Sequence, residues 1–265
     1  MNSEPQRRVV LVTGAARGIG AACARRLGSE GYAVVGVDIC HDDPALGYEL
    51  GSRAELDEVM ASIGPETLAV EADVRDRAAL DAAVAAGVER FGGLDAVVAA
   101  AGIFAGGHPA WRTDEAQWDA NIDINLSGVW KTFAAALPAI LRREAPRQGR
   151  AVAIASAAGM GGHPTIAAYC AAKHGVIGLV RSLAAELGTA GVTVNSVCPG
   201  SVDTAILDAS RQAYGLASKD DFSVHQVIGR ILRPDEIAAG VAWLCSPEQG
   251  AVTGIALPVD GGMTI

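Results

Sequence analysis

Large aromatic side chains are scarce in this sequence: Trp, Tyr and Phe occur four times each in 265 residues. A core stacked from rings is therefore excluded, although half of the residues are hydrophobic. The apolar content is carried by small and aliphatic side chains, which suits helices laid closely on a sheet. Cysteine is also sparse. Cys23, Cys40, Cys170, Cys198 and Cys245 are odd in number and lack CxxC spacing, which excludes a disulfide framework and reads as reduced thiols in a cytoplasmic protein. Basic clusters are missing from a chain of net charge −9, so no nucleic-acid footprint is expected. No apolar run free of Gly reaches the length of a membrane span, so no membrane partner is expected. Residues 1–8 run straight toward a strand-like stretch without the apolar region of a signal peptide. No histidine pair has zinc spacing, and no metal is expected.

What is present is a chain-long alternation of short apolar runs with amphipathic stretches. Strand patterns fall at 8–13, 33–38, 67–72, 94–100, 149–156, 192–198 and 253–259. Helical patterns follow Gly20, cover 53–63, begin near Asp76 with an apolar stripe of Leu80, Val84, Val88 and Phe91, and extend from Thr113 to about Glu144. Others run from Tyr169 through Leu187 and onward from Pro234. Strands alternating with helices, with no linker and no repeat, predict one α/β domain over 1–265. The expected fold is a Rossmann-type, doubly wound seven-stranded parallel sheet with helices on both faces. The mixed, polar stretch 205–225 reads as a lid over a site.

The first strand pattern runs into Gly14, Arg17, Gly18, Ile19 and Gly20, and then into a helix. Strand, glycine turn and helix in that order suit a pyrophosphate: glycine lets the backbone come close, and the helix N-terminus offers unpaired N–H groups. The spacing is GxxxGxG rather than GxGxxG, and alone it also fits a simple tight turn. Asp38 ends the second strand about twenty residues further on, where a carboxylate accepts from ribose hydroxyls and repels a 2′-phosphate. NAD is thus favoured over NADP, although Arg17 is suited to greet a phosphate and counts the other way. Asp73, followed by Val74, either meets the adenine or caps the helix starting near Asp76. Gly14, Asp38, Gly102, Ser156 and Pro199 all lie at the carboxyl ends of strands, where such sheets bind ligands.

Ser156 closes the fifth strand, and Tyr169 and Lys173 follow on a helix at the spacing that places both on one face. A lysine beside a phenol favours the phenolate. With a serine hydroxyl facing the same spot, the trio forms a proton-transfer site for an alcohol or carbonyl. Asn125, inside a helix, is either a tolerated polar residue or marks a functional kink with a bound water. His163 follows the serine loop toward the pocket, whereas His108, His174 and His225 finish turns or faces. Trp111, Met160, Tyr214 and Phe222 are candidates for an apolar substrate wall or for ordinary packing.

These motifs resemble the short-chain dehydrogenase/reductase family along nearly the whole chain. Thr13 to Gly20 is similar to its TGxxxGxG loop, Asn125 to its helical asparagine, Ser156 to its serine and Tyr169 to Lys173 to its YxxxK. Pro199-Gly200 and Val202 to Thr204 resemble its nicotinamide-side loop. The resemblance implies NAD-dependent interconversion of a secondary alcohol and a ketone, with Tyr169 as acid–base group. Lys173 would lower the tyrosine pKa and hold the nicotinamide ribose, Ser156 would orient the substrate oxygen, and Asn125 would hold a water. Gly14, Arg17, Gly18, Ile19, Gly20, Asp38, Asp73, Val74, Ala100, Gly102, Tyr169, Lys173, Pro199, Gly200, Val202 and Thr204 would contact the cofactor. A homotetramer is also implied. The family usually has Asn-Asn-Ala-Gly after the fourth strand, where this chain has Ala99 to Gly102, so side chains that brace the sheet are missing. That variant, together with Cys40 to Pro44, Trp243 to Pro247 and the surroundings of Tyr169, resembles an actinobacterial subgroup associated with the redox cofactor mycofactocin. The subgroup implies a tightly held nicotinamide that passes electrons to mycofactocin. The other readings are an NADP-dependent carbonyl reductase, which Asp38 opposes, and a non-catalytic nucleotide sensor, which the intact Ser-Tyr-Lys set opposes.

Overall fold

The computed structural model describes residues 7–44 and 46–265. Seven strands, β1 (Val9–Thr13), β2 (Ala33–Asp38), β3 (Thr67–Glu71), β4 (Ala96–Ala99), β5 (Gly149–Ile154), β6 (Val192–Pro199) and β7 (Ala256–Val259), form one parallel sheet in the order β3-β2-β1-β4-β5-β6-β7. β1, β2 and β4 to β6 are buried along their whole length. That explains their continuous Val- and Ala-rich runs: a parallel strand covered on both faces needs no polar alternation.

The helices supply the two covers. α1 (Gly18–Ser29), α2 (Arg53–Ile63) and α8 (Pro234–Cys245) lie on one face, with Leu27, Leu56, Ile237, Val241 and Leu244 packed on Val10 and Val12. α3 (Arg77–Phe91), α4 (Glu115–Ile122), α5 (Gly128–Leu141) and α6 (Ala167–Leu187) cover the other, where Phe133, Ile140, Val176 and Val180 meet Val9 and Leu11. Neighbouring β1 residues thus serve opposite cores, as the two-residue period of a strand requires. A helix α7 (Ala205–Tyr214) and a 3-10 segment, Lys219–His225, make up the stretch after β6.

Local chemistry sets the helix starts. Ser52 and Glu55 form a reciprocal capping box at α2, and Asp76 accepts from Ala78 and Ala79 N–H at α3. Asp114 caps α4 through Gln117 N–H. Asp76, not Asp73, is therefore the cap of α3. Asp73 instead accepts from Arg75 N–H and pairs with its guanidinium at 2.6 Å. The long helical pattern from Thr113 divides into α4, a π-helical turn at Asp123–Ser127 and α5. The turn keeps the rod continuous through Gly128, so Glu115–Leu141 is long and apolar enough to cross a membrane, contrary to the sequence expectation. Most of its apolar window, 61%, is buried, and this surface belongs to the core. β7 begins at Ala256 rather than Thr253, because Gly254 takes a left-handed φ of +76 that interrupts the extended run.

The order in which successive strands are added reverses between β1 and β4, which are neighbours inside the sheet, and the carboxyl ends of these strands open a crevice.

Candidate active site

The crevice is a cleft of about 1110 Å³, large enough for a dinucleotide beside a small substrate. Its floor is the turn after β1. Gly14 has φ +71, and a Cβ there would fall 2.8 Å from the Ala101 backbone; a Cβ on Gly20 would fall 1.9 Å from Gly14 O. Only glycine lets α1 start this close to the strand ends. Arg17 is the N-cap of α1 but makes no side-chain cap. The first-turn N–H groups of Gly18, Ile19 and Gly20 therefore open into the cleft as a donor set for an anion. Arg17 also lines the cleft. Its guanidinium donates to Glu49 O.

Asp38 closes the next side. Its Oδ2 accepts from Ala16 N–H at 2.9 Å and Oδ1 from Ile39 N–H at 2.8 Å. Cys40, at φ 60, turns a further N–H toward it. Burial raises the Asp38 pKa, and the backbone donors oppose that. The carboxylate is held at the point where a ribose would arrive, with Asp73, Val74, Ala100 and Gly102 along the same wall. The small residues after β4 have replacement braces. Thr13 Oγ1 accepts from Ala100 and Ala101 N–H at 3.2 and 3.3 Å.

Asn125 is fully buried in the π-helical turn, and its side chain is consumed by the protein. Oδ1 accepts from Ile103 N–H at 3.0 Å, while Nδ2 donates to Ile103 O at 3.0 Å and to Asn121 Oδ1 at 3.3 Å. Asn121, one turn earlier, donates to Ala105 O at 2.9 Å. The two asparagines pin the loop after β4. Asn125 lies behind the cleft wall, where its side chain braces the loop after β4. A Cβ on Gly102 would lie 2.9 Å from Asn125 Oδ1 and 3.6 Å from Lys173 Nζ, so brace, glycine and lysine meet at one point.

Ser156, Tyr169 and Lys173 converge from β5 and α6. Ser156 accepts from Ala158 N–H at 3.1 Å and hydrogen-bonds Tyr169. Lys173 is 3% exposed; its Nζ donates to Ile154 O at 2.9 Å and lies 5.6 Å from the Tyr169 ring centre. Burial pushes Tyr169 up to about 12, opposed by the Ser156 hydrogen bond, and burial pushes Lys173 down to about 8. Desolvation is the largest cause in both groups and disfavours the charged form of each.

Pro199, Gly200, Val202 and Thr204 line the cleft from the β6 side. Beyond Tyr169 the walls become apolar: Phe104, Ile166, Ile206, Tyr214 and Phe222, with His163 and His225 at the margin. Tyr214 and Phe222 pack edge to face, with centres 6.0 Å apart. Trp111, 84% exposed, and Met160 stand outside the cleft and form no part of its wall. His108 also lies outside, and His174 bonds Cys170 O on the surface of α6.

Sequence reasoning missed one element. Residues 46–51, which fall between the patterns read from the sequence, lie as a strap along the cleft. Leu46 and Leu50 pack on the core below, Gly51 sits against Ala16 and Asp38, and Glu49 O takes the Arg17 bond. Tyr48 Oη accepts from Phe104 N–H at 2.8 Å. Arg75 ties the approach to the strap, pairing with Asp43 at 2.7 Å as well as with Asp73. The strap has no periodicity to read. Its signal is an isolated Tyr48 between Gly47 and Gly51.

Residues 14–264 match the family model described as enoyl-(acyl carrier protein) reductase. A putative short-chain type dehydrogenase/reductase of Mycolicibacterium smegmatis is 39% identical over 272 aligned positions, covering 96% of each chain. The crystal structure of carveol dehydrogenase from Mycobacterium avium in complex with NAD superposes with a TM-score of 0.91 at 34% identity, covering 97% of both chains. An actinorhodin polyketide ketoreductase variant with NADPH gives 0.86 at 37% identity, covering 99% of both.

Proposed function

Because the chain belongs to the short-chain dehydrogenase/reductase family, a family of oxidoreductases, we propose that it interconverts a secondary alcohol and a ketone with NAD, using Tyr169 as the acid–base group. The observation that carries this is the meeting of Ser156, Tyr169 and Lys173 in the same cleft as the open α1 N-terminus and Asp38. The donor set fits a pyrophosphate. The buried, backbone-held Asp38 carboxylate fits a free ribose and repels the phosphate that NADPH, bound to the ketoreductase relative, carries.

When bound, NAD⁺ supplies the hydride acceptor. Ser156 orients the substrate oxygen from beside Tyr169. In oxidation the Tyr169 phenolate takes the hydroxyl proton as the carbinol carbon gives up its hydride; in reduction the phenol returns that proton. With its pKa pushed up to about 12, Tyr169 is a phenol at neutral pH and stands ready as the acid for a ketone. Oxidation draws on the minor phenolate form, so its rate rises with pH. Lys173 anchors the Tyr169 helix to β5 through Ile154 O and presents its charge beneath the phenol. Asn125 and Asn121 hold the loop that walls the site. Tyr169→Phe is expected to abolish turnover while dinucleotide titration and the unfolding midpoint stay near wild type; retained turnover overturns the proposal.

A second reading has its own support. The strap over residues 46–51 favours a dinucleotide that stays bound, with an external acceptor such as mycofactocin taking the electrons. The denatured-protein extract checks it: retained NAD(H) in the mass spectrum supports it, and an empty protein that turns over added NAD overturns it. A homotetramer is part of the same proposal, supported by the half-exposed Trp130 and Trp243 on α5 and α8; a monomeric mass by light scattering overturns it.

A further inference from the structure

The strap touches three rims of the cleft, and its contacts differ in kind. At the α1 rim, Arg17 donates to Glu49 O. At the β3 rim, Arg75 pairs with Asp43 and Asp73. The first is a carbonyl contact of a partly exposed arginine, which water replaces at little cost; the second holds the buried Asp43 carboxylate and anchors the chain ahead of the strap. The third contact is of another sort. Tyr48 inserts its ring into the cleft, and its hydroxyl oxygen accepts from Phe104 N–H at 2.8 Å. Phe104 is 5% exposed, and its ring packs on Tyr169 with centres 5.6 Å apart. Losing the tyrosine oxygen leaves a largely buried amide N–H without its acceptor, the costly way to break a hydrogen bond.

We propose that Tyr48 is the fastening residue of the strap: its hydrogen bond to Phe104 holds residues 46–51 closed over a bound dinucleotide and at the same time fixes Phe104 against Tyr169. Cofactor release and a correctly packed catalytic tyrosine then belong to opposite states of one contact. Tyr48 is a positioning residue that acts on Tyr169 through Phe104. The inference rests on the reading that this cleft takes NAD(H).

The test follows bound NADH by its fluorescence after wild-type protein and variants are loaded and then mixed with excess NAD⁺. Tyr48→Phe keeps the ring and removes the acceptor, and it is expected to release NADH about tenfold faster. Phe104→Leu keeps the amide and removes the ring contact. It is expected to lower kcat while release stays slow, a split that general loosening of the cleft does not produce. Hydrogen exchange at the Phe104 amide of the wild-type protein gives a measurement independent of any variant, and loading with NADH is expected to slow it. A Tyr48→Phe protein that releases NADH at the wild-type rate, or a Phe104 amide whose exchange NADH leaves unchanged, overturns the inference alone. A wild-type protein that has been stripped of any retained dinucleotide and still takes up no NADH overturns the cofactor reading, and the inference with it.

Discussion

Lys173 carries an ammonium group into a place almost closed to water, with Ile154 O as its hydrogen-bond partner among the described residues. Burial lowers its pKa from 10.5 to about 8, so the folded protein binds this proton less readily than the unfolded chain does. Below pH 8 the folded state bears the full cost, roughly 3 kcal/mol at 1.36 kcal/mol per pKa unit. Between pH 8 and 10.5 the unfolded chain holds more protons, so stability from this group rises with pH across that window. Tyr169 acts with the opposite sign. Its pKa is raised from 10 to about 12, and its contribution, intact below pH 10, is lost as pH climbs toward 12. Lys173→Met is therefore expected to abolish turnover yet raise the denaturant midpoint at pH 7, and to flatten the rise between pH 8 and 10.5. Urea titrations at pH 7 and pH 9.5 check both signs; a variant less stable than wild type at pH 7 contradicts the argument. Spacing alone located Tyr169 and Lys173 on one helix face. It did not reveal that both groups are desolvated, because that depends on the walls contributed by β5, β6 and the loop after β4.

At the scale of elements, the end of α8 depends on a residue that the sequence hides. Arg150 looks out of place in the apolar run of β5, yet it is 2% exposed. Its guanidinium donates to Ser246 O at 3.0 Å, to Pro247 O at 2.8 Å and to Gly149 O at 2.9 Å. A cation at a helix C-terminus satisfies carbonyls that the helix leaves unpaired. Arg150→Met keeps the apolar stem and removes the donors. The expected loss is about 2–3 kcal/mol, seen as a fall of roughly 5–10 °C in Tm, with the dinucleotide affinity of the remaining folded protein unchanged. A Tm within a degree of wild type speaks against this role. The seven strands and the main helices were legible, because parallel strands buried on both faces leave continuous apolar runs and helices leave a stripe. Three features were not: the π-helical turn around Asn125, which has the composition of an ordinary helix; the true cap of α3, since Asp73 and Asp76 look equivalent in sequence; and the strap, whose order comes wholly from contacts with distant residues such as Arg17 and Phe104.

For the whole molecule, a ligand that binds only the folded state raises its stability, so the cofactor choice argued for Asp38 has a global readout. Any NAD retained through purification is first removed. At a hundredfold excess over its Kd, added NAD is expected to stabilise the protein by roughly 2.7 kcal/mol, while NADP at the same concentration shifts Tm little. Equal shifts contradict the reading of Asp38, and Asp38→Ala is expected to narrow the difference. The cleft could be placed from sequence because strand ends in a doubly wound sheet converge by topology. Its outer boundary could not, since α7, the Lys219–His225 segment and the strap close it through side-chain contacts without period. The strand order also bears on how the chain is made. Of the seven strands β1 is synthesised first, but it stands inside the sheet, between β2 and β4. As the chain leaves the ribosome, β2 and β3 can dock on one side of β1 long before β4 exists. Until Ala96–Ala99 emerge, a Val-rich strand edge has no neighbour and resembles the edges through which nascent chains aggregate. Fragments ending before β4 should therefore be poorly soluble, and this interval of translation is when the protein most needs a chaperone.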